Sequence, residues 1–315
     1  MNDQPRYFCR VVSGQFNAES WPDIIKGSIC YTPRVTLDRA DALLVLYDPS
    51  EELLRFEGPK LWFTIEPSWH YHFKRHPIGK RLVKRLNLSE RAWYGNPDPD
   101  YRVPHPTHRQ LFDFTREKYS KKAAVACINN FGGRAWFLKR YIRLRNKFVF
   151  HPLVDLYGSP QAWANFRQFP FLWRKGPPIN YKGRRSPGED HYASAHLRLL
   201  SSYKVNVCLE NSTEFLYFTE KFVNAAQAGC IPVYHAHESV RNTFLQGAKW
   251  VDPKDFNFSA NKTIRYALRQ DQEEYREVND HWLKSNVQTR TDDRYVLDKL
   301  HAILESRLPP SKSKG

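Results

Sequence analysis

The sequence predicts an α/β protein of two domains, with a parallel sheet in the second half of the chain. Residues 204–234 read as strand, helix, strand, which is a βαβ unit and so demands parallel pairing. Short apolar runs at 42–47 (A-L-L-V-L-Y), 60–65 (K-L-W-F-T-I) and 123–128 (A-A-V-A-C-I) have the length and texture of buried strands. With 315 residues, 41% of them hydrophobic and 15% aromatic, the chain can build two cores.

Taken in order, the first half alternates these runs with Pro-rich and charged loops. The run at 60–65 is halted by Pro67, and residues 91–106 hold Pro97, Pro99, Pro104 and Pro106, a pattern of extended loop. A basic polar stretch at 118–122 precedes the next strand, so the boundary falls near residue 120: an N-terminal domain over 1–120, a C-terminal domain over 121–306, and a basic Pro/Lys tail over 307–315. After strand 123–128 comes N-N-F-G-G, then a helical pattern over 134–147, a strand-like run over 148–157 ending at Gly158, and a Gly/Pro/Arg-rich loop over 176–190. Residues 191–201 read as helix and 204–209 as strand. Thr219 then suits a helix N-cap, with Phe222, Ala225 and Ala226 on one face and Gly229 as the stop before the strand at 231–234. One long helix is expected over 260–282 and another over 293–306.

Charge and cysteine usage narrow the functional classes. The balance of 49 basic and 33 acidic residues gives +16, a field that favours phosphates, acidic glycolipids, membrane surfaces or nucleic acid. Cys9, Cys30, Cys127, Cys208 and Cys230 include no C-x-x-C pair, which argues against zinc-ribbon and redox motifs and for small core residues. No stretch reaches the roughly 20 apolar residues of a membrane span. The polar N-terminus has no signal-peptide core, so the expected location is the cytoplasm or a membrane periphery in a bacterium, or else a soluble catalytic domain of a Golgi-type enzyme.

The residues with chemical promise cluster at strand ends. The connection E-N-S-T-E-F-L-Y-F between the strand ending at Leu209 and the helix starting near Thr219 is longer than an ordinary βα loop of about 2–6 residues. It lies at the carboxyl end of a parallel strand, where open α/β sheets bind ligands. Lys221 puts a cation in a first turn that the helix dipole already makes positive, an arrangement that makes sense around an anion, and Glu220 can accept from sugar or ribose hydroxyls. The alternative is a pair of solvated first-turn charges. Gly132 and Gly133 before Arg134 form a second phosphate-sized turn, against the alternative of a plain Gly-rich loop. Glu66, directly after the strand at 60–65, stands where a general base would be needed, or else in an edge-loop salt bridge. Asp98-Pro99-Asp100 mimics a metal-binding D-x-D between prolines, and His70, His72 and His76 fit no standard metal spacing; both read better as loop.

Residues 203–233 carry a longer pattern. Y-K-V-N-V-C-L-E-N-S, then Y-F-T-E-K-F-V-N-A, then A-G-C-I-P-V closely resembles the signature of the α-1,3/4-fucosyltransferases, glycosyltransferase family 10. Leu209 stands for the usual Phe and Leu216 for the usual Asp or Gly. Looser similarities are W-F-T-I-E-P at 62–67, D-P-D-Y-R-V-P at 98–104 and the loop ending at Arg134.

The resemblance implies a GT-B fold, two Rossmann-like domains facing across a cleft, and an inverting transfer of L-fucose from GDP-fucose to a glycan hydroxyl in α-1,3 or α-1,4 linkage. It implies Glu66 as general base and Arg134, Glu210, Asn211, Tyr217, Glu220 and Lys221 as donor contacts. It implies no required cofactor, with a divalent ion such as Mn at most stimulatory. The partners implied are GDP-fucose and an oligosaccharide, lipopolysaccharide or glycoprotein acceptor, with peripheral membrane contact through the basic surface. The competing readings are a GT-B transferase using another nucleotide sugar and, from charge alone, a basic nucleic-acid-binding protein, although no nucleic-acid module motif is present.

Overall fold

The computed structural model describes residues 5–13, 22–46, 52–63, 116, 119, 121–128, 140–158, 180–183, 194–214, 217–287 and 293–308. The chain divides into two units, Met1–Val103 with Asp293–Gly315, and Pro104–Asp292.

The first unit is built on a five-stranded sheet ordered β2-β3-β1-β4-β5. Its strands are β1 (Tyr7–Ser13), β2 (Ile24–Lys26), β3 (Ile29–Thr32), β4 (Ala42–Leu46) and β5 (Lys60–Phe63). All pairings are parallel except the β2–β3 hairpin. The runs expected as strands at 42–47 and 60–65 are β4 and β5. The short helix α1 (Glu52–Arg55) is tied back by Arg10, whose guanidinium donates to both Glu52 oxygens at 3.0 Å.

The second unit holds a five-stranded, all-parallel sheet ordered β10-β9-β6-β7-β8. Its strands are β6 (Lys121–Cys127), β7 (Val154–Tyr157), β8 (Tyr181–Gly183), β9 (Tyr203–Val207) and β10 (Ile231–Val233). Counted from its own first strand this is the order 3-2-1-4-5, the doubly wound nucleotide-binding topology, whose direction of winding reverses between β6 and β9. The helices are α2 (Arg140–Val149), α3 (Ser194–Ser201), α4 (Glu220–Gln227), α5 (Glu238–Arg241), α6 (Ala260–Arg269) and α7 (Gln272–Trp282). Val205 and Val207 of β9 and Ile231 and Val233 of the edge strand β10 pack with Ile264, Ala267 and Tyr275 of α6 and α7 in one buried core. Phe222, Ala225 and Ala226, the face expected on α4, are wholly buried against Tyr234 and Trp282 in another.

Three expectations need correction. Phe148 and Val149 close α2 instead of opening a strand, because the apolar run continues the buried stripe of Ile142; the strand begins only at Val154. The helix expected over 260–282 is two, since Asp271 caps a new helix by accepting from Glu273 N at 3.1 Å. The terminal helix α8 (Asp293–Glu305), assigned above to the C-terminal domain, belongs to the first unit. Its His301 Nδ1 lies 3.0 Å from Tyr31 Oη, Asp298 pairs with Lys26, and Arg307 just beyond donates to the Lys60 carbonyl at 3.1 Å. Sequence proximity favoured the C-terminal domain, but Leu300, Ile303 and Leu304 bury their apolar stripe with the first unit.

Gly229 ends α4 at φ +75°, as expected for a left-handed stop. Gly158 ends β7 for a different reason: a Cβ there would sit 2.0 Å from the carbonyl oxygen of Ile128, at the neighbouring end of β6. Gly158→Ala is therefore expected to force β6 and β7 apart at their carboxyl ends and cost about 1–3 kcal/mol, the range for overpacking. Urea unfolding of the variant against the wild type measures it, and an unchanged midpoint would show that these strand ends are not tightly apposed.

Candidate active site

The site is built at the carboxyl end of β9, beside the point where the sheet reverses its winding. The chain leaves β9 through Cys208 and Leu209, both buried, and reaches Glu210, which has no exposed surface. A buried carboxylate must have its charge met at close range. Thr219 meets it twice: its backbone N–H donates to Oε1 at 2.8 Å, and its hydroxyl lies 2.7 Å from Oε2 and 2.9 Å from Oε1. Tyr234, just past β10, donates its phenol to Oε1 at 2.8 Å, and the Lys221 ammonium donates to Oε2 at 3.2 Å.

These bonds fix where α4 begins. Thr219 occupies the N-cap with extended backbone, but its side chain does not cap the helix; it serves Glu210. Lys221 is held from a second side by the Thr219 hydroxyl at 3.1 Å and lies 3.8 Å from Glu220. Burial works against the Lys221 charge, but the carboxylates of Glu210 and Glu220 outweigh it and raise the pKa above the ordinary lysine value. The ammonium is therefore a fixed cation at the positive end of a helix, with 26% of its side chain still accessible.

The residue that sequence reasoning missed is Arg145 of α2, only 3% exposed. Its guanidinium donates to the Asn211 side-chain oxygen and, from Nε and Nη2, to that of Asn146 at 3.2 and 3.0 Å. Burial pushes its pKa down to about 10, opposed by Tyr141, Tyr217 and Glu210, so it stays charged at neutral pH. A signal was present: Arg145 and Asn146 interrupt the buried stripe of Ile142, Phe148 and Val149, where a polar side chain needs a partner.

Of the expected donor contacts, Glu210, Asn211, Glu220 and Lys221 converge here, and Tyr217 is buried beside them, near enough to Arg145 to act on its charge. Glu210 turns its oxygens inward to the protein, and Lys221 is the counter-charge of a buried carboxylate as well as a first-turn cation. Glu66 and Arg134 lie outside the described residues, as do Asp98, Asp100 and the histidines at 70, 72 and 76.

Residues 173–303 match the family model for glycosyltransferase family 10 (fucosyltransferase), C-term. Over that stretch the chain is similar to glycosyltransferase family 10. The match spans the E-N-S loop, α4, the helices α5, α6 and α7 and most of α8, so the Glu210 cluster lies within the shared domain. No curated protein matches the chain in sequence. Solved structures similar to it include an α1,3-fucosyltransferase with GDP, 17% identical, covering 96% of this chain and 92% of that one at TM-score 0.43. An α,α-trehalose 6-phosphate synthase from Burkholderia multivorans is 12% identical over 96% and 99%, at TM-score 0.47.

Lys221→Met should cost stability because it strips a buried carboxylate of its counter-charge. Charge-assisted hydrogen bonds are worth roughly 1.5–3 kcal/mol, and a loss in that range is expected in chemical unfolding at neutral pH. The pH dependence has a defined sign. Because the folded pKa of Lys221 is raised, its contribution is complete below the ordinary lysine value and is lost as pH climbs above it. As pH rises past the ordinary lysine value the wild type should therefore lose more stability than the variant; parallel slopes would show that the ammonium is not coupled to Glu210.

Proposed function

We propose that the enzyme transfers L-fucose from GDP-fucose to a hydroxyl of a glycan acceptor, with inversion at the anomeric carbon and in α-1,3 or α-1,4 linkage. The observation that carries this reading is the cationic start of α4, locked by Glu210 at the carboxyl end of β9, within the residues that match the fucosyltransferase family.

The chemistry needs a place for a departing diphosphate. As the bond from the anomeric carbon to the phosphate oxygen breaks, negative charge grows on GDP, and preorganised cations and helix N–H groups stabilise it. Lys221 supplies a cation that is already oriented, so little reorganisation accompanies the reaction. Arg145 holds Asn211 and lends the loop a second fixed charge. Arg134 fits the role of a further diphosphate contact, and Glu220 and Tyr217 those of contacts to the donor's hydroxyls and phosphates. Glu66 is assigned the proton of the acceptor hydroxyl. The GT-B fold goes with this reading, as does peripheral contact of the +16 chain with an anionic membrane surface.

GDP should raise the melting temperature well above the shifts given by UDP or CMP. A ligand at a hundred times its Kd adds about 2.7 kcal/mol to the folded state. Equal shifts with UDP would redirect the assignment to another nucleotide sugar. Glu66→Gln should keep GDP affinity by calorimetry while kcat falls about 10²–10⁴-fold, the usual contribution of a positioned base. Near-normal kcat would remove Glu66 from the mechanism.

A further inference from the structure

Beyond the Glu210 cluster, the second unit has a cavity of about 620 Å³ past the carboxyl end of β10, lined among others by Thr213, His235, Glu238, Arg241, Lys254 and Phe258. Thr213 belongs to the same connection as Glu210 and Asn211, so the cavity adjoins the loop that leads into the donor cluster.

Its walls are fixed in advance. The buried Asp252 accepts from Lys254 N at 2.9 Å, and its Oδ1 lies 2.8 Å from His235 Nδ1. Its other oxygen lies 3.3 Å from Arg241 Nη1. Burial alone would raise the Asp252 carboxyl, but the bonds from His235 and Lys254 and the Arg241 charge hold it below the usual carboxylate range. Nδ1 of His235 is thereby committed, and Nε2 is the ring nitrogen left for a ligand. The imidazole is further held by a T-shaped contact with the Phe258 ring, centroids 5.0 Å apart at 85°, and the His235 backbone carbonyl accepts from Tyr141 Oη at 2.8 Å.

Phe258 is itself strained. Asn257 and Phe258 have φ of +52° and +56°. Asn tolerates that region, but a bulky aromatic residue there is an outlier that surrounding structure must impose. Here the imposition is visible: Phe258 N donates to the Pro253 carbonyl at 2.8 Å, closing the short 3-10 turn that Asp252 caps. The cost keeps an aromatic ring at the cavity wall beside His235.

We propose that this cavity is a subsite for the acceptor glycan, with His235 Nε2 bonding a sugar hydroxyl and Phe258 packing against a pyranose face. The proposal rests on the transfer reading above. Hydroxyl groups both donate and accept, and this wall offers both: a carboxylate, an imidazole and a hydroxyl beside a guanidinium and an ammonium. A single anion would call for one sign of charge, and Glu238 opposes that. The volume lies within the roughly 300–1,000 Å³ of pockets that hold drug-sized ligands. One pyranose ring does not fill such a space, which favours an oligosaccharide over the lone sugar of the donor.

The test uses the whole chain with His235→Gln, Lys254→Ala and Glu238→Gln; the last two change exposed side chains and leave the fold intact. N-acetyllactosamine and chitotriose serve as probes. Saturation-transfer NMR without nucleotide should show the probes on the wild type and weakened signals on the variants. Acceptor KM should rise about ten-fold or more per variant, as expected for a lost charge-assisted hydrogen bond, with GDP affinity unchanged. Unaltered KM and signals in Lys254→Ala and Glu238→Gln would overturn the proposal even if His235→Gln failed to fold. So would weakened donor binding with acceptor KM unmoved, which would make this a donor subsite, or absence of either probe from the wild type. Should GDP-fucose not be turned over at all, the transfer reading fails, while the NMR measurement still decides whether the cavity binds saccharide.

Discussion

A carboxylate with no exposed surface is costly unless several donors converge on it, and around Glu210 they come from separate parts of the chain. Thr219 and Lys221 arrive from the start of α4, and Tyr234 from beyond β10. One anion thus fixes the exit of β9, the entry of α4 and the exit of β10 together. These are the segments that a doubly wound sheet places beside its ligand crevice. Loss of the carboxylate would leave donors buried and unpaired, so the loop geometry and the stability of this unit depend on the same group.

The same arrangement answers how a lysine can sit in the first turn of a helix. The dipole disfavours it, and burial disfavours its charge, yet Glu210 and Glu220 more than compensate. The cation is therefore built into the fold before any substrate arrives. Arg145 shows the same economy: an arginine in a buried stripe is tolerated because the side-chain oxygens of Asn146 and Asn211 receive it. Asp252 repeats it at the end of β10, orienting His235 and capping the turn that holds Phe258. In each case a buried ion positions a neighbouring group that faces open space.

Much of this was legible in the residues. The period-two run at 203–207, the apolar face of α4 and the glycine stop at 229 follow from local rules of alternation, helical periodicity and backbone freedom, and the structure contains them. Thr219 marked the start of α4, and Lys221 marked that turn as a place for an anion because a cation there is locally unexpected. What misled was also local: the apolar stretch at 148–157 contains the end of a helix and a strand, and nothing in its composition marks the break.

By itself, then, the sequence determined the parallel α/β character, the βαβ unit around α4 and the family pattern at 203–233, since each depends on neighbours in the chain. Only the tertiary structure decided that Glu210 faces inward, that Lys221 is its counter-charge, that Arg145 reaches Asn211, and that the terminal helix packs with the first unit through Tyr31 and Lys26. Those outcomes depend on which buried charge finds which partner across tens to hundreds of residues. Local pattern carries no record of that, because the cost of leaving a charge unpaired is set by the packed interior and not by the chain nearby.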